Sequence, residues 1–406
     1  MATSSTITPT SRGGWTTPRM THQGDEKVAD KPGLRFTLRE LVGSFGDLGT
    51  FLPLCVALAV TTELNFAAML IAAGLMNIAT GLLFRLPVPV QPMKAIAAVA
   101  IAEGLSGGAV VAAGWGMGAA LTLISITGLI PWLDRLIPTP IVRAIQLGVG
   151  LKLLLHALEC LPGLPAVGPN SLLVALAAAG LILLGTVQKW PVVLPLFLAG
   201  FAIILFEVPS AYQTITINSP QLNWIVPSEA EWKQGLIQGA LPQLPLTLLN
   251  SVIAVCALSG DYFPKNRIES RRMASSVGMM NLLCVGWSGL PMCHGAGGLA
   301  AQYRAGARTG GSVIMLGGIK VALGIAFGVS LLPLLQSYPV AILAPFIGFA
   351  GVSLAYNGCL VNKVRDGFVI LPSALVTVAT QTLYGFLAGI ILTFILTTIQ
   401  PKPPRE

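Results

Sequence analysis

The most informative stretches of the sequence are PVPVQPMK at Pro87–Lys94 and LPMCHGAGG at Leu290–Gly298. Each opens with prolines, which break a helix interior, and continues into small and apolar residues. Each also carries a basic or imidazole side chain near the expected helix start. A helix that begins inside a membrane directs its backbone N–H groups and its positive dipole end towards the bilayer interior. The two stretches therefore predict a pair of half-helices that meet at an anion site, as in secondary transporters with inverted repeats.

The composition is that of a polytopic membrane protein. Of the 406 residues, 54% are hydrophobic and only 10% are charged, whereas soluble domains carry about 25% charged residues. The net charge of +8 does not indicate a nucleic-acid partner, because the basic residues lie between hydrophobic stretches. No two of the six cysteines have CxxC spacing, so neither a disulfide framework nor a zinc site is expected. No cofactor and no resident metal are predicted.

Apolar runs, compared with the length needed to cross a bilayer, divide the chain into two sets of seven segments. The third and tenth segments hold the two opening stretches and are too short to span alone. Because seven is odd, the second set crosses the membrane in the opposite sense. We therefore predict an all-α, seven-plus-seven inverted-repeat fold with half-helices that begin at Pro92 and Pro291, each after a short extended stretch. The predicted segments are 43–61, 65–84, 92–105, 109–133, 140–158, 170–187, 191–207, 236–259, 273–288, 291–304, 311–335, 338–357, 367–380 and 381–399.

The boundaries and the orientation follow from these segments. Residues 1–33 are polar and are predicted to be a disordered cytoplasmic tail rather than a signal peptide. The inverted repeats are predicted at 34–207 and 234–400, joined by a polar extracytoplasmic linker at 208–233, and 401–406 form a short cytoplasmic tail. With both termini in the cytoplasm, nearly all loop lysines and arginines lie on the inner side, which is the usual bias. The plasma membrane is the first choice, and a vacuolar or other internal membrane is the second.

Ionisable side chains within the segments are functional candidates by default. Pro92 suits the first helical position, so Lys94 is expected in the first turn, where a cation is unfavourable unless an anion binds beside it. The alternative is that Lys94 only neutralises Asp47, which lies in the glycine-rich GSFGDLGT. Asp47 is interpreted either as that structural partner or as a proton carrier. Glu103 is predicted to be a helix-end group, and Lys152 and Lys320 are predicted to snorkel or to pair.

Further polar residues fall close to the same two breaks. His294 is expected in the equivalent turn of the second half-helix, where it would donate to an oxyanion or carry a proton, against the alternative of a packing residue. Gln91 offers an amide donor at the first break. Gln243 and Thr247, in the eighth segment, offer neutral donors. Gly295 is expected to let a ligand or the facing helix come close.

At these residues the chain resembles the eukaryotic-type molybdate transporter family, a small branch related to the sulfate permease superfamily. The resemblance rests on GSFGDLGT, PVPVQPMKAIAAVAIAEG and LPMCHGAGGLAAQYRAGARTGG, and it covers nearly the whole membrane region. It implies the fold of uracil and bicarbonate transporters, with a core and a gate domain that move relative to each other. The substrate would lie between the third and tenth segments. The regulatory C-terminal domain of sulfate permeases is expected to be absent, which favours the molybdate branch.

The resemblance implies uptake of molybdate by alternating access, with proton symport as an option, and no enzymatic activity. The first alternative keeps the fold but changes the substrate to sulfate or another oxyanion. A nucleobase permease is disfavoured because Lys94 suits a charged ligand. A membrane-embedded enzyme would need clustered carboxylates or histidines, which the sequence lacks, and a channel suits paired half-helices less well than a carrier.

The expected partners are molybdate, with sulfate or tungstate as competitors, the lipid bilayer and, by analogy, a second copy in a homodimer. Molybdenum is expected only within the oxyanion substrate. Asp47 and His294 are the candidates for proton coupling. The candidate substrate-binding residues are Asp47, Thr50, Gln91, Met93, Lys94, Ala95, Gln243, Thr247, Cys293, His294 and Gly295.

Overall fold

The computed structural model describes residues 33–62, 64–136, 138–188, 192–207, 220, 222–328, 336–360 and 364–398. The predicted C-terminal tail at 401–406 lies outside these ranges. So do nearly all of the predicted N-terminal tail, about half of the predicted linker and the end of the eleventh predicted segment.

In the described part of the first half, the chain is mostly helical and forms one short strand. Its elements are α1 (Leu38–Ser44), α2 (Leu48–Thr62), α3 (Phe66–Phe84), β1 (Gln91–Pro92), α4 (Lys94–Glu103), α5 (Gly107–Thr127), α6 (Ile130–Leu136), α7 (Thr139–Glu159), α8 (Leu172–Gln188) and α9 (Val193–Glu207). A 3₁₀ turn at Phe45–Asp47 separates α1 from α2.

The second half repeats this organisation. It contains α10 (Glu229–Tyr262), then α11 (Ser270–Ser288), β2 (Met292–Cys293), α12 (Ala296–Arg304), α13 (Gly311–Phe327), α14 (Val340–Gly358), α15 (Val364–Ala379) and α16 (Thr382–Thr398). Within α10, the hydrogen-bonding pattern changes to π-helical at Gly235–Ala240 and at Thr247–Ile253. Such local widening of a helix is frequent at functional sites.

The helices agree with a multi-pass membrane protein. By length and composition, five helices in the described ranges can cross a bilayer, and a sixth is obtained if α1 and α2, which are bent by 50°, count as one span. The five are α3, α5, α7, α10 and α14. Four more apolar helices, in α8, α9, α13 and α16, are shorter.

Two predicted boundaries need correction. The predicted segment 109–133 is two helices, because Gly128 adopts a left-handed conformation (φ 71°) and ends α5. The eighth predicted segment, 236–259, belongs to a helix that already begins at Glu229, within the predicted linker at 208–233, whose limits stay a prediction. There Ser228 and Glu231 form a capping box, in which each side chain bonds a backbone N–H of the other residue.

The two opening stretches form an antiparallel strand pair, which confirms the predicted extended segments. Gln91 lies opposite Cys293, and Pro92 lies opposite Met292. The predicted helix starts at Pro92 and Pro291 are wrong: α4 begins at Lys94 and α12 begins at Ala296. Residues before prolines favour extended backbone, and the strand pairing prolongs that conformation past each proline.

The helix contacts follow the pattern of two intertwined repeats. The most extensive contacts join α7 to α14, α3 to α13 and α5 to α11. Each predicted segment has a counterpart seven segments away. Replacing each by its counterpart turns the pair of the second and eleventh segments (α3 and α13) into the pair of the ninth and fourth (α11 and α5). The same exchange turns the pair of the fifth and twelfth segments (α7 and α14) into itself. Glycines permit this closeness, since a Cβ on Gly74 would lie 2.6 Å from the Gly317 carbonyl oxygen. The limits 34–207 and 234–400 of the repeats stay predictions.

These contacts separate the helices into two groups. The core group, α1–α5 with α10–α13, surrounds the strand pair, whereas the gate group comprises α7–α9 with α14–α16. Across the cleft between them, α4 contacts α7, and α2 contacts α14 and α9. The predicted third segment therefore lies on the boundary between the two groups.

Candidate functional site

The strand pair is held in place by a polar side chain from α11. Asn281, which is fully buried, accepts a hydrogen bond from the Met292 N–H (2.8 Å) and donates one to the Met292 carbonyl (2.6 Å). The Met93 N–H then donates to the Pro291 carbonyl at 2.8 Å. These bonds fix the backbone of both strands immediately before the two half-helices begin.

The start of α4 is occupied by the side chain of Gln243. Its Oε1 accepts hydrogen bonds from the N–H groups of Ala95 (2.8 Å) and Ile96 (3.3 Å), and its Nε2 donates to Thr247 Oγ1 (2.7 Å). The first N–H groups of a helix have no partner within the helix and bind an acceptor, often an anion. A neutral amide oxygen from α10 takes that place in this structure.

Asp47 and Gln91 form the second polar contact of the site. Asp47 is 2% exposed and lies in the 3₁₀ turn between α1 and α2, and its carboxylate accepts a hydrogen bond from the Gln91 amide. The start of α12 lies against this pair. A Cβ on Gly298 would lie 2.5 Å from Asp47 Oδ1 and from Gln91 Nε2, and a Cβ on Gly295 would overlap Gln91 Oε1. Glycine is therefore required where α12 passes the pair.

Lys320, on α13, places a positive charge inside the core group. It is 3% exposed, its ammonium lies 3.4 Å from the centre of the Phe51 ring, and it donates to Asn77 Oδ1 at 3.0 Å. Lys320 and Asp47 interact electrostatically. The predicted snorkelling of Lys320 is wrong, because the ammonium is buried among α2, α3 and α13. Ion pairing of Lys320 with a carboxylate stays a prediction.

Lys94 faces the cleft between the core and gate groups. Its side chain is half-buried and, with Leu54, lines a small cavity against Phe349 and Asn357 of α14. The ion pairs formed among the described residues are Lys152–Glu103 and His156–Glu159, so Lys94 does not pair with Asp47. The cavity measures about 20 Å³, which is close to the space that one water needs. The cleft is closed around the ammonium.

His294 lies just before α12, and the prediction that it lies in the first turn is wrong. Its Nδ1 is 2.9 Å from the Pro89 carbonyl, and its Nε2 is 3.0 Å from Ser276 Oγ. Because a carbonyl only accepts, Nδ1 carries a proton. The Ser276 hydroxyl donates to Nε2 when the ring is neutral and accepts from it when the ring is protonated. Phe84 packs edge-on against the ring. These contacts give His294 a packing and positioning role, and its part in proton coupling stays a prediction.

The structure brings most of the predicted site residues together. Asp47, Gln91, Gln243, Thr247 and Gly295 converge where the strand pair leads into the half-helices. Met93 is the residue that caps α4, and Cys293 lies on β2 with its Sγ 3.9 Å from the Pro92 carbonyl. The side chain of Thr50 lies outside what the structure describes. Substrate binding by these residues stays a prediction.

Glu103 lies away from this site, at the far end of α4 as predicted. It accepts from Lys152 Nζ (2.9 Å) and from the Thr382 N–H (3.0 Å). Lys152 also donates to the Thr380 carbonyl (2.6 Å). The core and gate groups are thus joined by a charged contact at this end of the cleft.

Sequence reasoning missed Asn281 entirely and gave Lys320 no functional weight. Asn281 stands in an otherwise apolar stretch of α11, and a buried amide needs hydrogen-bonding partners. That signal marks a contact without identifying the partner, which lies eleven residues later in the chain. For Lys320, a position near the middle of its segment argued against snorkelling, because the ammonium is far from either membrane surface.

Solved transporters share this fold. The transmembrane domain of a cyanobacterium bicarbonate transporter, BicA, superposes with a TM-score of 0.67 at 16% identity, covering 89% of this chain and 99% of that one. Murine solute carrier 26 family member A9, an anion transporter in the inward-facing state, gives a TM-score of 0.65 at 13% identity, covering 93% and 70%. The chain is therefore a multi-pass membrane protein with the inverted-repeat transporter fold.

Sequence comparison identifies the family. The model described as "Molybdate transporter of MFS superfamily" matches residues 39–153 and 235–354, more than half of the chain. Molybdate transporter 2 of Arabidopsis thaliana is 36% identical over 403 residues, covering 88% of this chain and 87% of the relative. Molybdate transporter 1 of Chlamydomonas reinhardtii is 30% identical over 486 residues, covering 91% and 93%. The chain therefore belongs to the molybdate transporter family, a family of transporters and not of enzymes.

Proposed function

We propose that this protein carries molybdate, a tetrahedral dianion, across its membrane by alternating access. The observation that carries the proposal is the start of α4, where backbone N–H groups, the positive end of the helix dipole and the Lys94 ammonium lie together beside the cleft. This combination of donors and charge suits an oxyanion. The names of the relatives favour molybdate over sulfate.

Binding requires an exchange of acceptors at this helix start. An oxygen of molybdate takes the place of Gln243 Oε1 and accepts from the N–H groups of Ala95 and Ile96. The Gln243 amide then turns its donor towards the anion, and Thr247, its present partner, contributes its hydroxyl. Met93 and Cys293 flank the anion from the strand pair.

The closed cleft supports the proposed alternating access. A cavity of about 20 Å³ beside Lys94 does not admit a tetrahedral oxyanion. Substrate therefore enters only after the gate group moves relative to the core group, and α7 and α14 are the elements that must move away from α4 and α2.

A compensating cation flux accompanies uptake in this proposal. Two negative charges that enter a cell against 100 mV cost about 4.6 kcal/mol, from roughly 2.3 kcal/mol per charge. A proton carried by Asp47 offsets one of the two charges, roughly 2.3 kcal/mol of this cost, and a second cation offsets the other. Asp47 is the first candidate because this carboxylate is buried beside the site and interacts with Lys320. His294 is the weaker candidate, since both of its ring nitrogens already have neutral partners.

Reconstituted vesicles test the proposal. Purified protein in liposomes of controlled internal pH and potential is offered molybdate, and internal molybdenum is measured by elemental mass spectrometry. We expect saturable uptake that exceeds that of protein-free liposomes and is reduced by tungstate. Transport of sulfate without molybdate would select the same-fold alternative, and transport of neither anion would refute the proposal. Uptake that depends on neither pH nor membrane potential would indicate electroneutral anion exchange instead of proton symport.

A further inference from the structure

We propose that the groove between α3, α5 and α11 is a binding site for an anionic phospholipid of the inner leaflet. The groove has a volume of about 490 Å³, within the range of about 300–1,000 Å³ that ligand sites occupy. It lies on the outside of the core group, away from the cleft that Lys94 faces. The site is thus separate from the substrate site proposed above.

Most of the groove is built to hold an acyl chain. Its walls include Met76 and Leu83 from α3, and Met279 and Leu283 from α11. Leu83 is 51% exposed and Leu283 is 57% exposed. Leu83 lies on α3, one of the helices that can cross a bilayer, and Leu283 lies beside the same groove on α11. Large apolar side chains exposed at this position face the hydrocarbon interior of the bilayer, so a lipid tail reaches the groove without crossing water.

One end of the groove is basic. Arg271 and Arg272, both exposed, line it in the first turn of α11. Two cations at the positive end of a helix dipole are unfavourable unless an anion lies nearby. None of the described residues that line the groove is acidic, and Glu269, which precedes the helix, makes no capping bond with its side chain. A phosphate group supplies the missing negative charge.

The arginines are positioned for a headgroup. Ser125 Oγ donates to the Arg271 carbonyl (2.9 Å), and Arg271 Nη2 donates weakly to the Ile126 carbonyl (3.3 Å), which places this arginine against the end of α5. In the predicted orientation, this end of α11 is cytoplasmic. Basic pockets between helices on that side are suited to anionic headgroups.

The floor of the groove connects to the strand pair. Ser276 lines the groove and bonds His294, which in turn bonds the Pro89 carbonyl just before β1. A lipid in the groove therefore packs against the residues that hold the half-helix starts. We expect lipid occupancy to change the transport rate as well as the stability of the fold.

Native mass spectrometry of the purified full chain tests the site. Phosphatidylglycerol and phosphatidylcholine with identical acyl chains are titrated separately, and the apparent Kd of each is measured. Each basic residue near an anionic lipid contributes roughly fivefold to affinity. The double variant Arg271→Gln, Arg272→Gln should therefore bind phosphatidylglycerol roughly 25-fold more weakly. The matched control Arg267→Gln removes an exposed arginine outside the groove and should leave the Kd unchanged.

A second pair of variants tests the apolar half without changing charge. Ala79→Trp fills the groove and should weaken both lipids, whereas Leu75→Trp, on an exposed site of the same helix outside the groove, should not. Equal wild-type affinity for the two lipids, or an unchanged Kd in the double arginine variant, would overturn the proposal. Displacement by inorganic phosphate at the same concentration as the lipid would also overturn it, because the groove would then be a simple anion site.

Discussion

At the start of α4, the N–H groups of Ala95 and Ile96 bond to Gln243, and in the proposed binding step an anion takes the place of this amide oxygen. The Gln243 amide oxygen is a neutral acceptor. A dianion that accepts from the same N–H groups would form stronger, charge-assisted hydrogen bonds and would therefore displace it. The competition keeps the helix start satisfied when no substrate is present. In this proposal, the anion can displace the Gln243 side chain because that side chain is neutral.

Gln243→Glu should abolish most transport while leaving the protein folded. The new carboxylate bonds the same N–H groups, is favoured by the helix dipole and pairs with Lys94, so it occupies the anion site permanently. Molybdate uptake at matched expression should fall at least tenfold, and the melting temperature should stay equal or rise. Gln234→Glu, at the beginning of the same helix, is the control and should transport normally. Wild-type uptake by the Gln243 variant would place the anion elsewhere.

Lys94→Ala should reduce uptake severely with little loss of folded protein. The ammonium is half-buried at a closed cleft and has no carboxylate partner among the described residues, so its removal breaks no ion pair formed there. Lys94→Arg should restore uptake only in part, because a planar guanidinium does not reproduce a compact ammonium. Initial rates in vesicles measure both variants, with Lys233→Ala, an exposed lysine on α10, as the control. Normal transport by Lys94→Ala would make the lysine structural.

The half-helices show which features of the site can be predicted from the sequence and which cannot. Prolines at positions 92 and 291 act locally, so the two breaks and the extended stretches were predictable. The exact helix starts were not, because they depend on a strand pair between segments about two hundred residues apart. Two further contacts were unpredictable because they also join residues far apart in the sequence. Gln243 caps α4 from 148 residues away, and the carbonyl that His294 binds is 205 residues away. Composition identifies polar residues in apolar helices, whereas their partners come only from the packed fold.

Neighbouring glycines at the start of α12 give opposite predictions. A Cβ on Gly297 meets no atom within 4 Å, whereas one on Gly298 would lie 2.5 Å from Asp47 and Gln91. Gly297→Ala should leave transport intact and stabilise the helix by up to about 1 kcal/mol. Gly298→Ala should separate the Asp47–Gln91 contact, lower the melting temperature and reduce uptake at least tenfold. Thermal unfolding in detergent and vesicle uptake check both, and equal behaviour of the two variants would contradict the close contact.

At the scale of the whole molecule, the cleft is closed by contacts that transport must break. Glu103 on α4 belongs to the core group, and its partners Lys152 and Thr382 belong to the gate group. The Glu103 and Lys152 side chains are only 7% and 12% exposed. A buried ion pair is strongly weakened when one partner loses its charge. In the predicted orientation this contact lies at the outer end of the cleft, so it favours closure towards the outside.

Glu103→Gln should therefore shift the protein towards an outward-open state. A cysteine introduced at Ser353, which lines the small cavity beside Lys94, reports the opening through its reaction with a membrane-impermeant thiol reagent added outside. Cys160, which lies on the outer side in the predicted orientation, and Cys359 are the two cysteines that are not buried, and both are replaced by serine in every protein compared. Labelling should be several-fold faster in Glu103→Gln than in its parent. Glu159→Gln, which removes an exposed carboxylate at the end of α7, should leave the rate unchanged. If Glu103→Gln labels no faster, the ion pair does not restrain the gate group, and closure rests on apolar contacts of α4 and α2 with α7 and α14.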